Sequence, residues 1–194
     1  MSYHIYTTEG VILKRAPFGE ANLLLYILTA DLGLIVASAR SARVSASKLR
    51  PGLQEYAYVT ISCVKGKGGW KVTNVAVLGN YYFESPIYAH KVLAQIVSLL
   101  IKMMPGEANH PAVFSLIKNA FDHLKNIDNA NIEYFEMLVV LRVMFELGYV
   151  AKNSLIDAFL KDNADWSVGI IENVMNNRKE VLEVINKALK ESQL

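Results

Sequence analysis

Four basic side chains, Arg40, Arg43, Lys48 and Arg50, fall within one short stretch, and no acid lies between Asp31 and Glu55. Guanidinium and ammonium groups with no carboxylate nearby suit one chemistry above others, the neutralisation of phosphate. The Ser and Ala residues among them bury little apolar surface, and Pro51-Gly52 breaks whatever structure precedes it. The same composition also fits an ordinary solvated connection. Two further groups of cations accompany aromatic residues: Lys14 and Arg15 precede Phe18, and Lys65, Lys67 and Lys71 surround Trp70. Such pairs suit single strands, the cation meeting phosphate while Trp70, Phe18 or Tyr58 stacks on a base. If Trp70 and Phe18 are buried instead, they are core residues.

Acid–base and metal chemistry find little support. The histidines are His4, His90, His110 and His123, and no two have the i, i+4 spacing that presents paired ligands on one helix face. Cys63 is the single cysteine, which excludes an internal disulfide and a multi-cysteine zinc site. No serine lies in a Gly-x-Ser-x-Gly elbow. Gly66-Lys67-Gly68-Gly69-Trp70-Lys71 lacks the order of a phosphate-binding loop and reads as a hairpin turn. Asp122 and His123 are adjacent, so on a helix they point about 100° apart and form no dyad. No catalytic residue, metal or cofactor is expected, and the chain does not read as an enzyme.

Five short strands must position the basic groups. Val11 and Leu13 alternate with Ile12 and Lys14. Asn22–Thr29 is a longer apolar run, Gly33 marks a turn, and Leu34–Ala39 makes a third strand. From Glu55 to Val64, Ala57, Val59, Ile61 and Cys63 share one face, with Tyr56, Tyr58, Thr60 and Ser62 on the other. Trp70–Leu78 is the fifth strand. This spacing, with a longer insert after the third strand, fits a small Greek-key barrel of OB type over residues 1–80.

The pattern turns helical over residues 81–194. Ser85-Pro86 reads as a cap and first helical residue, followed by Val92, Leu93, Ile96, Leu99, Leu100 and Met103 at helical spacing. Pro105-Gly106 ends that helix. A second begins near Pro111 and carries Val113, Leu116, Ile117, Ala120, Phe121 and Leu124. The third, Ile132–Leu147, is apolar nearly all round and reads as the central buried helix, stopped by Gly148. Two weaker helices are expected over Ser154–Leu160 and Val168–Lys190. The fold class is therefore α+β, an OB barrel followed by an all-α domain.

The 194 residues are 53% hydrophobic and 20% charged, as in globular chains. Residues 1–80 hold nine basic against four acidic side chains, a net +5, which leaves −3 for residues 81–194 within the total of +2. A basic first part and an acidic second part point to different partners. Met1–Tyr6 lacks the charged start and apolar run of a signal peptide, and no segment is apolar enough to span a bilayer. A cytoplasmic protein with no membrane partner is expected. Tyr81, Tyr82 and Phe83 at the join between the halves are unlike a Gly/Ser linker, so the halves are expected not to be freely tethered.

In order, the chain carries Thr8-Glu9-Gly10-Val11-Ile12-Leu13-Lys14-Arg15, Phe18-Gly19-Glu20-Ala21-Asn22-Leu23-Leu24, Leu28-Thr29, Gly33 and Ala42-Arg43. Ser47-Lys48-Leu49-Arg50 and Lys65-Gly66-Lys67-Gly68-Gly69 follow, then Tyr134-Phe135-Glu136-Met137-Leu138 through Leu147-Gly148-Tyr149. This ordered set resembles the bacterial recombination mediator family RecO from about residue 7 to 150. The resemblance implies an OB domain and a helical domain, binding of single- and double-stranded DNA, and annealing of complementary strands. It also implies loading of the recombinase RecA onto DNA coated by single-strand binding protein (SSB), and a location with the nucleoid. The implied partners are RecR and the acidic carboxy-terminal tail of SSB. On this basis the DNA-binding residues are Lys14, Arg15, Arg40, Arg43, Lys48, Arg50, Lys65, Lys67, Trp70 and Lys71.

The chain departs from the family in three places. The four-cysteine zinc element that many members carry after the Gly-Tyr pair is absent, because Gly148-Tyr149 runs into Val150-Ala151-Lys152-Asn153-Ser154. The basic carboxy-terminal segment of many members is replaced by Lys187-Ala188-Leu189-Lys190-Glu191-Ser192-Gln193-Leu194, of mixed charge. The basic residues that many members place before the central helix are here Asn131, Ile132 and Glu133. Lys118 and Lys125, seven apart on one helix face, are the candidate substitutes for holding the acidic tail; both also fit plain solubility.

Overall fold

The computed structural model describes residues 4–154 and 156–192. It divides into two units, one of Met1–Glu84 with Met104–Phe114 and one of Ser85–Met103 with Ser115–Leu194.

The first unit is a closed barrel of β1 (Ile5–Phe18), β2 (Asn22–Thr29), β3 (Gly33–Ala39), β4 (Ala57–Gly66) and β5 (Gly69–Asn80), in the spatial order β1-β2-β3-β5-β4. β1 closes it by serving two neighbours. Its first half pairs with β4, from Ile5↔Val64 to Val11↔Tyr58, and its second half with β2, from Gly10↔Thr29 to Phe18↔Asn22. A register shift between Ile12 and Lys14 bends the strand where it changes partner, as a bulge does. Gly10 lies at the crossover, and a Cβ there would meet Ile27 at 3.0 Å and the Leu28 carbonyl oxygen at 3.2 Å. The last seam is a short parallel pairing, Ala37↔Trp70 and Ser38↔Lys71.

The barrel core follows the period-2 pattern. Ala57, Val59, Ile61 and Cys63 are buried while Tyr58, Thr60 and Ser62 are half-buried. Burial pushes the Cys63 thiol up to about 11, so it remains an uncharged packing residue at neutral pH. The connection between β3 and β4 contributes more to this core than its composition implies. Ala42 and Leu53 are fully buried in the same cluster, and Leu49 packs against it. A 3₁₀ turn, Arg50–Gly52, brings Gly52 so close to β5 that a Cβ would lie 2.8 Å from Val75. The connection is thus anchored at both ends by apolar residues and exposes its charges between them.

Among the described residues six α-helices follow the sheet. Tyr81–Glu84 is a single turn, α1, whose Tyr82 N–H donates to the Asn80 side-chain oxygen at 3.0 Å. Asn80 thus caps this extra turn, and the helix expected to start at Ser85-Pro86 starts instead at His90. Pro86 is extended (φ −65°, ψ 152°), and a 3₁₀ turn at Ile87–Ala89 separates it from α2 (His90–Met103). The physical reason is that a residue preceding proline is driven out of the helical region, which ends α1. α3 is Pro111–Leu124, and the boundary between the units falls within it.

In the second unit α4 (Ile132–Glu146) is central and packs against α2, α5 (Val168–Asn176) and α6 (Arg178–Glu191). Gly148 ends α4 at φ +80° in a Schellman motif: its N–H donates to Phe145 O, and the Tyr149 N–H donates to Met144 O. Arg142, on this helix, is completely buried. Its Nε donates to the Phe159 carbonyl and its Nη1 to the Asp165 carbonyl, both at 2.8 Å, and its guanidinium lies 4.5 Å from the centre of the Trp166 ring. Burial pushes it down to about 10, so it stays charged at neutral pH.

Two expectations for this unit need correction. Of the helix expected over Ser154–Leu160 only a 3₁₀ turn at Asp157–Phe159 forms, and Leu155 lies outside the described residues. The single helix expected over Val168–Lys190 is two, separated at Asn177 (φ −112°, ψ 27°). The Asn177 side chain donates to the Asn173 carbonyl at 2.8 Å, the local competition with backbone bonding that makes asparagine a poor helix-interior residue.

Candidate nucleic-acid interface

The turn joining β1 to β2 is Gly19-Glu20-Ala21, with Gly19 at φ +62°. The β3–β4 connection leaves the sheet through Ser41 at φ +51°, and the two segments are tied together. Ser41 N–H donates to the Asn22 side-chain oxygen, and Arg43 N–H donates to the Ala21 carbonyl, each at 2.9 Å. The Arg43 Nη1 donates to the carbonyls of Gly19 at 3.2 Å and Glu20 at 2.9 Å. Beside this seam lies a concavity of about 410 Å³ lined by Arg15, Pro17, Leu23, Ala42, Arg43 and Arg50. Arg15 and Pro17 share one strand face by the period of 2, and Pro17 sits opposite Leu23 in the β1–β2 register. Three arginines separated by up to 35 positions in the chain thus surround one apolar floor.

Among the described residues none of Lys14, Arg15, Arg40, Arg43, Lys48, Arg50, Lys67 or Lys71 forms an ion pair with a carboxylate. All eight are exposed. Arg40 and Lys48 lie on the same connection outside the concavity. Lys14 follows the bulge in β1. Lys65, Lys67 and Lys71 form a separate group on the β4–β5 hairpin, where Lys71 pairs with Val64 and Ser38 in the registers of β4 and β3. Lys65 is not available in the same way: it is ion-paired with Glu107, and this hydrogen bond holds the Glu107 carboxyl below its ordinary range.

The aromatics reverse the simplest expectation. Trp70 is only 5% exposed, sits edge-on to Tyr6 at 5.2 Å and has Lys65 Nζ 5.3 Å from its ring centre. Its face is therefore occupied by the protein. Phe18 is 52% exposed at the end of β1 and does not close the barrel. Lys118 and Lys125 both reach Asp122, at 2.9 Å each. Burial alone would raise the Asp122 carboxyl, but hydrogen bonds from Lys125 and Lys118 outweigh it and lower the group. Glu107 and the Pro17/Leu23 floor were not visible as site residues in the sequence. Glu107 lies 42 positions from Lys65 with no motif to connect them, whereas the floor follows once the β1–β2 register is known.

The family model described as "Recombination protein O N terminal" matches residues 1–81, a span that includes the barrel and every cation of the interface. A DNA repair protein RecO of Dehalococcoides mccartyi is 30% identical over 137 residues, 69% of this chain and 54% of that protein. The RecO of Thermodesulfovibrio yellowstonii is 27% identical over 150 residues, 75% of this chain and 58% of that protein. The RecO of Gloeothece citriformis is 37% identical over 124 residues, 63% of this chain and 43% of that protein. The chain spans about half the length of the curated relatives it matches. Five strands closed in this order, with helices following, define an OB-fold protein of α+β class. Over residues 1–81 the chain belongs to the RecO N-terminal family, and the relatives that it matches over a longer span are DNA repair proteins RecO. Among the described residues no helix is long and apolar enough to cross a membrane.

Proposed function

We propose that this chain is a DNA-binding recombination mediator. It binds single- and double-stranded DNA, anneals complementary strands and assists loading of RecA onto SSB-coated DNA, with RecR and the acidic SSB tail as partners. The observation that carries this reading is the convergence of Arg15, Arg43 and Arg50 on one concavity, each without a carboxylate partner among the described residues. Unpaired guanidinium groups at the mouth of a small barrel favour a polyanion over a neutral protein surface. Lys14, Arg40, Lys48, Lys67 and Lys71 extend the positive field around it. Trp70 is assigned to the barrel core and not to base stacking.

A second reading, an OB module that binds protein without binding DNA, draws on the exposed Val77, Leu78, Tyr82 and Phe83 at the end of the barrel chain. One experiment separates the two. Labelled single strands and duplexes are titrated with the protein at low and moderate salt, and complementary strands are then followed for annealing. The mediator reading expects salt-sensitive binding of both forms and accelerated annealing. Absence of binding to either form at low salt would leave the protein-interaction reading standing.

A further inference from the structure

We infer that the arginine concavity takes an unpaired nucleobase and not the phosphate backbone alone, which makes it a single-strand subsite; this rests on the DNA-binding reading above. A site for phosphate needs only cations, and exposed ones serve. This concavity instead has an apolar floor: the cross-strand pair Pro17 and Leu23, with Ala42 from the β3–β4 connection. Leu23 and Ala42 are buried and Pro17 is exposed, so the floor is continuous with the core and open above. Its volume of about 410 Å³ lies within the usual range for small-molecule pockets, about 300–1,000 Å³.

The rim matches the same ligand. Guanidinium planes stack on bases as well as pairing with phosphates, which an ammonium cannot do. The three rim cations are all arginine, while the lysines Lys14 and Lys48 lie outside. Arg43 is held in place by the Gly19 and Glu20 carbonyls, so part of the rim is preorganised before any ligand arrives. A duplex keeps its bases stacked inside and can reach only the rim charges. A single strand can place one base on the floor against the Arg15 and Arg50 guanidinium planes, with its flanking phosphates meeting the surrounding cations.

The test uses the whole chain and three labelled oligonucleotides of equal phosphate number: oligothymidylate, the same strand with abasic residues, and a duplex. Affinity is read by fluorescence anisotropy at fixed salt. The normal strand should bind about 5- to 150-fold more tightly than the abasic strand, the value of one stacked base. An Arg15→Lys/Arg50→Lys variant, with its melting temperature checked, should narrow that ratio while keeping the salt dependence, because charge is retained and stacking is lost. Equal binding of normal and abasic strands overturns the subsite and leaves the DNA-binding reading intact. An unchanged ratio in the lysine variant also overturns it, placing the base elsewhere. Failure to bind any of the three overturns both.

Discussion

The Arg43 guanidinium donates to the Glu20 carbonyl at 2.9 Å, joining the β3–β4 connection to the β1–β2 turn across 23 positions of sequence. The same group also reaches Gly19, and the Arg43 backbone N–H bonds Ala21. One of the four cations of the basic stretch is therefore a strut as well as a charge. Arg43→Ala should lower stability by about 1 kcal/mol, a solvent-discounted value for hydrogen bonds from a charged donor. Arg40→Ala, with no such bonds among the described residues, should stay within about 0.5 kcal/mol. Urea denaturation of the two variants measures the difference; equal midpoints would show that the strut contributes nothing.

Trp70 should behave as core. Its ring is buried between Tyr6 and the Lys65 side chain, beside the short parallel seam that closes the barrel. Trp70→Ala should cost about 3–5 kcal/mol, typical of removing a buried tryptophan. DNA affinity per folded molecule should be unchanged. A variant that melts like the parent but binds single strands more weakly would return Trp70 to the interface.

Gly33 sits at φ +71°, and a Cβ there would fall 2.0 Å from the Ala108 carbonyl oxygen. Leu34 N–H donates to Gly106 O in the same place, so segment Met104–Phe114 is clipped to the start of β3. Gly33→Ala combines a left-handed backbone with a backbone clash. It should cost at least the ~1–3 kcal/mol of a strained residue, seen as a lowered melting temperature. A melting temperature equal to the parent's would mean the segment yields without loss.

Lys118 and Lys125 share one carboxylate, and this decides how they can serve an acidic partner. Asp122→Asn removes the charge that both lysines meet. If they are the seat of an acidic tail, a labelled peptide with a carboxy-terminal acidic sequence should bind this variant more tightly than the parent. Unchanged affinity would assign the pair to local helix stabilisation, worth a few tenths of a kcal/mol at such spacings.

The barrel was legible because period-2 alternation survives wherever one face is buried, as from Ala57 to Cys63. The central helix was legible from its continuous apolarity and from Gly148, whose left-handed conformation the Schellman motif uses. Long-range pairings were not legible. Lys65 with Glu107 and Arg142 with the Phe159 and Asp165 carbonyls depend on which turns the fold brings together. Trp70 and Phe18 show the same limit: both are aromatic residues near a strand end, yet one is buried and one exposed. Trp70 lies where β5 pairs with β3 and is covered by Tyr6 and Lys65, long-range contacts that spacing does not encode. The break at Asn177 and the cap at Asn80 turn on where one asparagine side chain points, which spacing does not encode.

The most direct measurement is the slope of log K against log[salt] for single-stranded DNA, with Arg43 left in place because it holds the turn. Each phosphate neutralised on a single strand contributes about −0.7 to the slope. A variant with Arg15, Arg40, Lys48 and Arg50 all replaced by alanine should lose roughly 3 units of slope if each cation meets a phosphate, and should bind more weakly at low salt with little change in melting temperature. If that variant instead keeps the parent's affinity and slope, the basic connection is ordinary surface, and the DNA site must be sought along Lys14, Lys67 and Lys71.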